Sequence, residues 1–262
     1  MKKTIFFMTA LLVSIPQVGL SVDYEVKDKL SYDDYKYKDQ KKLGELDDKK
    51  AWRAEAEVGF YQMTGNTDNQ NLLGRFEGSY VKESWRHKLN LDAIRTKNDD
   101  KLAAEAYRLI FQSNYHLSDK HYLFNRIKYE DDNFSNFDYE SSMAVGYGLT
   151  IFNTKITSLS LDVGLGMRRS ETKHTNDITE EPIGVSQINF SRKIGSHSTF
   201  SQDFIVDLGK EYTSSESFTA LKVSITDTIA MNLSYLVKHK NNVTDTKEEV
   251  DAITAVTLVY NF

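Results

Sequence analysis

From Trp52 onward the chain alternates apolar and polar residues with a period of two. Trp52, Ala54, Ala56, Val58 and Phe60 share one side, with Arg53, Glu55, Glu57, Gly59 and Tyr61 on the other. That period places successive side chains on opposite faces of an extended strand. The pattern recurs down the chain. Leu72, Phe76 and Tyr80 oppose Arg75 and Glu77, with Gly74 and Gly78 among the apolar positions; Trp85, Leu89, Leu91 and Ala93 oppose Arg86, Lys88 and Asp92. Tyr107, Leu109, Phe111 and Tyr115 oppose Arg108, Gln112 and Asn114. A fifth strand, near residues 121–130, is out of phase, because Leu123 and Ile127 oppose Tyr122 and Phe124; a bulge or a partly aromatic interior accounts for this. Further strands carry Tyr139, Met143, Val145, Tyr147 and Leu149, then Leu159 to Met167 at alternate positions facing away from Asp162 and Arg168. The eighth runs near residues 183–192 with Ile188 and Phe190 on one face, and the ninth has Phe200, Phe204, Val206 and Leu208 facing away from Asp203 and Asp207. Leu221, Val223 and Ile225 mark the tenth, Met231, Leu233, Tyr235 and Val237 the eleventh. The last strand carries Ala252, Thr254, Val256, Leu258, Tyr260 and Phe262 on one side and ends on an aromatic residue.

The count is twelve. The polar connections at residues 64–69, 97–101, 170–181, 211–216 and 238–249 are mostly longer than the returns between them. Twelve antiparallel strands with apolar residues on one face predict an all-β transmembrane barrel with both ends on the same, periplasmic, side. A soluble β-sandwich also alternates, but long regular strands and the aromatic ending favour the barrel. Trp52, Trp85, Tyr115 and Tyr147 are candidates for aromatic girdles at the membrane interfaces.

The first residues read differently. Met1, Lys2 and Lys3 precede an apolar run over residues 4–20, which predicts a secretory signal peptide over residues 1–21. Residues 22–50 mix both signs of charge with tyrosines and few aliphatic residues, as expected of a solvated periplasmic segment, and residues 51–262 make the barrel. No later apolar run approaches the length of a transmembrane helix. A mean hydropathy of -0.51 is compatible with a barrel whose lipid-facing residues alternate with polar ones. The chain has 0 Cys, which excludes disulfides, thiol chemistry, cysteine metal sites and a lipidated N-terminal cysteine. A net charge of -5 gives no support to a nucleic-acid partner. The expected location is therefore the outer membrane of a Gram-negative bacterium. The expected partners are outer-membrane lipid and lipopolysaccharide, the outer-membrane assembly machinery and small solutes or ions; oligomeric state is open.

The segment WRAEAEVGF at residues 52–60, followed by TGNT at 64–67, resembles the salt-induced outer-membrane protein family, domain of unknown function 481. The resemblance extends over residues 51–262 and includes LGRFEG at 73–78, YGL at 147–149 and the YNF ending. It implies an outer-membrane barrel and assigns no substrate or catalytic residue. Thr64, Gly65, Asn66 and Thr67 form the family-like turn, whose firm physical role is to reverse the chain.

If the apolar faces meet lipid, the lumen is lined by Glu55, Glu57, Arg75, Glu77, Lys88, Asp92, Arg108, Arg126, Lys128, Glu140, Asp162, Arg168, Asp203, Asp207 and Lys222. Such a lining supports a hydrated pore for small solutes or ions. It equally supports a salt-bridged, closed structural barrel serving envelope integrity or salt-stress adaptation. An outer-membrane hydrolase is the remaining alternative. It needs a nucleophile, base and orienting group in mutual reach, and only His197, Ser198 and Asp203 lie close in sequence. His87, His116, His121, His174 and His239 are scattered, and no metal, cofactor or nucleotide motif stands out; the acidic stretch Glu130, Asp131 and Asp132 reads as a solvated loop. The paired glycines Gly146/Gly148 and Gly164/Gly166 lie in strand patterns and read as sheet packing.

Overall fold

The computed structural model describes residues 51–64, 69–98, 101–133, 135–173, 175–241 and 249–262. The expected signal peptide, the charged segment 22–50, Gly65, Asn66, Thr67 and His174 lie outside the described residues. Twelve strands follow one another: β1 (Trp52–Thr64), β2 (Asn69–Lys82), β3 (Trp85–Asn98), β4 (Lys101–His116), β5 (His121–Asp132) and β6 (Phe137–Asn153). Then come β7 (Thr157–Thr172), β8 (Ile178–Lys193), β9 (Ser198–Gly209), β10 (Thr213–Ser224), β11 (Ile229–Lys240) and β12 (Val250–Asn261). Each pairs antiparallel with its sequence neighbour, and β12 returns to pair with β1, Val58 opposite Leu258, so the sheet is a closed barrel. The Phe262 amide adds a last bond at 3.0 Å to the Ala54 carbonyl. Closure removes both free edges, which would otherwise leave unpaired backbone groups.

The alternation read from the sequence is the wall of this barrel. In β12, Val256, Leu258 and Tyr260 are 49%, 52% and 49% exposed, whereas Ala255, Thr257 and Val259 between them are at most 3% exposed. β5 pairs with both neighbours without a register break, so its odd phase is not a bulge. Tyr122 and Phe124 point inward and pack with Ala144, Ile183 and Val185. Glycines make room for them. A Cβ on Gly148 would lie 2.0 Å from the Tyr122 ring, and one on Gly146 would lie 2.7 Å from that of Phe124. The glycine pairs therefore do serve packing: two aromatic rings lie on backbone that carries no side chain beneath them.

Several strands run further than their apolar pattern. Residues 178–181 belong to β8, 213–216 to β10, 238–240 to β11 and 97–98 to β3, where the sequence predicts polar connections. Glu130 and Asp132 likewise lie within β5 rather than in a loop. Two connections shrink to residues 99–100 and 210–212, so their predicted greater length does not hold. The reason is physical: near the rim many outward positions of these strands, such as Glu180, Thr213, Ser215 and His239, are themselves polar, and the period-2 contrast that marks a strand fades.

Candidate functional site

The inward residues at one level of the wall form a charged register row. Glu57 on β1 is paired with Arg75 on β2, which is paired in turn with Asp92 on β3, Arg108 on β4, Glu130 on β5 and Glu140 on β6. Directly opposed residues on one sheet face come within side-chain reach. Arg75 Nε donates to Asp92 Oδ1 at 2.7 Å and its Nη1 lies 3.5 Å from Glu57, while Arg108 holds the other Asp92 oxygen at 2.7 Å.

From this row, bonds reach across the barrel. Arg108 Nη1 donates to Glu216 Oε2 on β10 at 2.8 Å, six strands away in a ring of twelve. Lys128 Nζ takes the other Glu216 oxygen at 2.7 Å and lies 3.3 Å from Glu130. Lys238 on β11 bonds Glu130, again six strands away, and lies 3.5 Å from Asp132. Lys240 and the Tyr212 hydroxyl both donate to Glu140. Tyr212 sits in the β9–β10 connection, where burial, and then the Glu140 carboxylate, raise its phenol well above its ordinary range and keep it a donor. The Arg168 guanidinium lies 3.4 Å from the Tyr212 ring centre and donates to Glu181 at 3.1 Å through Nε. Arg126 Nη2 bonds Asp207 Oδ1 at 2.6 Å. Nearer the rim of the β2–β3 turn, Lys222 bonds Glu55, and Asp162 accepts from Tyr122 and, at 3.2 Å, from Gln112.

An apolar cluster adjoins this network, drawn partly from the same strands. Tyr61, Leu73, Ala106, Leu236, Ile253 and Ala255 cluster inside the barrel with Ile94 and Phe218 against them. The Arg75 guanidinium lies 4.9 Å from the Phe218 ring centre, joining the charged row to this cluster. Beside the cluster a partly open space of about 30 Å³ is left, lined by Arg75, Asp92 and Arg108 as well as by Leu73, Phe218 and Ile253, with room for a water-sized molecule.

Of the residues that the sequence assigns to the lining, the structure joins Glu57, Arg75, Asp92, Arg108 and Lys128 in one network and couples Glu140 to Lys240 and Tyr212. Arg126 with Asp207, and Lys222 with Glu55, form separate pairs. Glu77, Lys88 and Asp203 share the inward face by register. Sequence reasoning missed Glu216, Lys238, Glu130 and Lys240. Glu130 was within reach, since it continues the inward phase of Arg126 and Lys128. It also missed the apolar cluster, although Ile253 and Ala255 alternate with the outward residues of β12.

Among the described residues, the histidines and the suggested hydrolase trio are not drawn together. Ser198 and Asp203 lie on opposite faces of β9, and His197 Nδ1 pairs with Ser196 Oγ at 2.6 Å in the preceding turn. Among the described residues no group of three or more His, Cys, Asp and Glu side chains could hold a metal ion. Thr64 ends β1. On the outside, Trp52 packs at a tilt against Tyr80 and Trp85 against Tyr115, with ring centres 4.5 and 4.9 Å apart, and His121 bonds Tyr147.

Residues 56–262 match the family described as a protein of unknown function, DUF481. The chain belongs to the DUF481 family. A search of curated proteins finds no match to this DUF481 member. Among solved structures it is similar to the NanC porin, with a TM-score of 0.55 and 11% identity over 79% of this chain and 100% of that one. It is less similar to the translocator domain of the autotransporter NalP from Neisseria meningitidis, at a TM-score of 0.49 and 10% identity over 81% and 88% of the two chains. A KdgM porin in complex with disordered oligogalacturonate follows at 0.44 and 8%, over 79% and 99%. At 11% identity the NanC likeness speaks for the DUF481 member's fold, a barrel of the porin kind.

Proposed function

We propose that this DUF481 member lies in the outer membrane of a Gram-negative bacterium, both barrel ends toward the periplasm, and acts as a narrow diffusion pore for ions or small solutes. One observation carries the reading: a closed ring of strands that is apolar outside and charged inside. Outward residues such as Phe60 and Leu165 are 75% and 74% exposed, a surface that hydrocarbon stabilises and water does not. The charged lining is the kind of wall along which hydrated ions move. Both signs are represented in the lining, so side-chain counts name no preferred ion. Lipid and lipopolysaccharide meet the outer face in this reading, and Trp52, Trp85, Tyr115 and Tyr147 anchor it at an interface. The chain reaches the membrane after export guided by residues 1–21.

A second reading, a closed barrel that serves envelope integrity, is favoured by the bonds of Arg108 to Glu216 and of Lys238 to Glu130, which span the lumen. In the pore reading these bonds form the constriction. The deciding experiment is single-channel recording in planar bilayers at two salt concentrations, on heat-modifiable protein. Wild type should give small, reproducible steps. Glu216→Gln removes the carboxylate charge that Arg108 and Lys128 share and leaves them only Asp92 and Glu130, so it should enlarge the steps and move the reversal potential toward anions. Silence from both proteins, folded and inserted, would establish the closed barrel instead.

A further inference from the structure

The outer face of β8–β10 breaks the apolar pattern of the barrel. Ser186, Gln202, Ser215, Ser217 and Thr219 all point outward, on the same face as Ile188 and Leu221, while Ser214, Glu216 and Ala220 between them are buried inside. Register places Val206 between Ser186 and Ser215, and Gln202 beside Thr219. Gln202 Nε2 donates to Ser217 Oγ at 3.0 Å, and Thr219 Oγ1 donates to Gln202 Oε1 at 2.6 Å. Ser186 and Ser215 make no side-chain hydrogen bond among the described residues. Ser215, beside His239, marks the edge of the patch nearest the β9–β10 rim, whereas Gln202, Ser217 and Thr219 lie deeper, among Phe204, Leu221, Tyr235 and Val237. A second outward polar row, in which Ser113 bonds His87 at 2.8 Å, sits instead beside the stacked Trp85 next to the β2–β3 turn, within reach of headgroups and water.

We propose that the β8–β10 face is the interface through which this chain pairs with a second copy of itself in the membrane. The inference rests on the membrane reading above. Hydrocarbon offers no hydrogen bonds, so hydroxyl and amide groups in the belt gain by meeting polar groups of another protein. Each of these groups is both donor and acceptor and none is charged, so the patch is complementary to itself without repulsion. Two copies inserted in the same direction are related by a twofold axis along the membrane normal, which brings like against like at equal depth. Gly184 and the serines keep the face low, so two walls approach closely, with Ile188, Phe204 and Leu221 packing around the polar centre.

The chain has no cysteine, so single cysteines report cleanly on this contact. Full-length Ser217→Cys and Thr219→Cys are oxidised in outer-membrane fractions beside Leu165→Cys and Val256→Cys, which face outward elsewhere on the barrel. Folding is read from heat-modifiable mobility. Expected is a disulfide-linked band of twice the monomer mass for Ser217→Cys or Thr219→Cys, about tenfold above both controls, since a standing contact raises the local thiol concentration. Cross-linking no greater than the controls in folded, membrane-embedded protein overturns the proposal, and so does a product of another mass, which would mark a different partner. Absence of the chain from the membrane fraction would instead defeat the membrane reading, and the interface with it.

Discussion

Gly148 shows how much a single missing side chain decides here. The Tyr122 ring occupies the space that a Cβ would need, and its hydroxyl is bound to Asp162, so the ring is held from both ends. Gly148→Ala should therefore destabilise the barrel by about 1–3 kcal/mol, the usual cost of overpacking a filled interior. Urea unfolding in lipid vesicles checks this. Gly74→Ala is the control, because a Cβ there meets nothing within 4 Å, and it should change the midpoint little. Equal losses at the two positions would show that the cost is one of backbone conformation rather than of the aromatic contact. The glycine spacing was visible in the sequence, but its partner was not, because the ring that needs the gap comes from the neighbouring strand.

At the scale of a strand, β7 states the face assignment most plainly. Asp162 is 2% exposed inside, whereas Val163 is 48% exposed outside. Val163→Arg should block stable insertion, since an arginine on the lipid face costs about 2–4 kcal/mol near the midplane. Asp162→Asn keeps an acceptor for Tyr122 and Gln112 and should be milder. Yields of heat-modifiable protein from vesicles measure both; equal yields would contradict the assignment. Strands such as β7 and β12 were legible because their outward residues are large and apolar while the register is unbroken. The start of β10 was not, because Ser215 and Ser217 outside match Ser214 and Glu216 inside in polarity, and a strand polar on both faces has no period to read. That same loss of contrast hid Glu216 from the candidate site and marks the proposed face between copies. Lys238 was lost differently, as the last polar residues of β11 merge with the loop that follows.

The bonds that cross the lumen belong to the whole molecule, since they require the ring to close and its strands to be staggered, and neither is written in any local pattern. Their presence raises the question of whether they hold the wall together or condition what passes through it. Arg126 and Asp207 offer a clean test, because they form a discrete pair between β5 and β9, with both side chains at most 5% exposed. Asp207→Asn leaves the guanidinium buried without its counter-charge and should cost about 3–5 kcal/mol, the range seen when one partner of a buried pair is removed. Replacing both, Arg126→Met with Asp207→Leu, removes two desolvation penalties together with one attraction and should restore stability to within about 1 kcal/mol of wild type. Urea unfolding in vesicles gives both numbers, and planar-bilayer recording of the same proteins gives the second axis. A double variant that regains stability but conducts differently shows that the pair is kept for permeation, as the pore reading requires. A double variant that remains as unstable as Asp207→Asn shows that the charge pair itself braces the wall, and the closed structural barrel is then the better account.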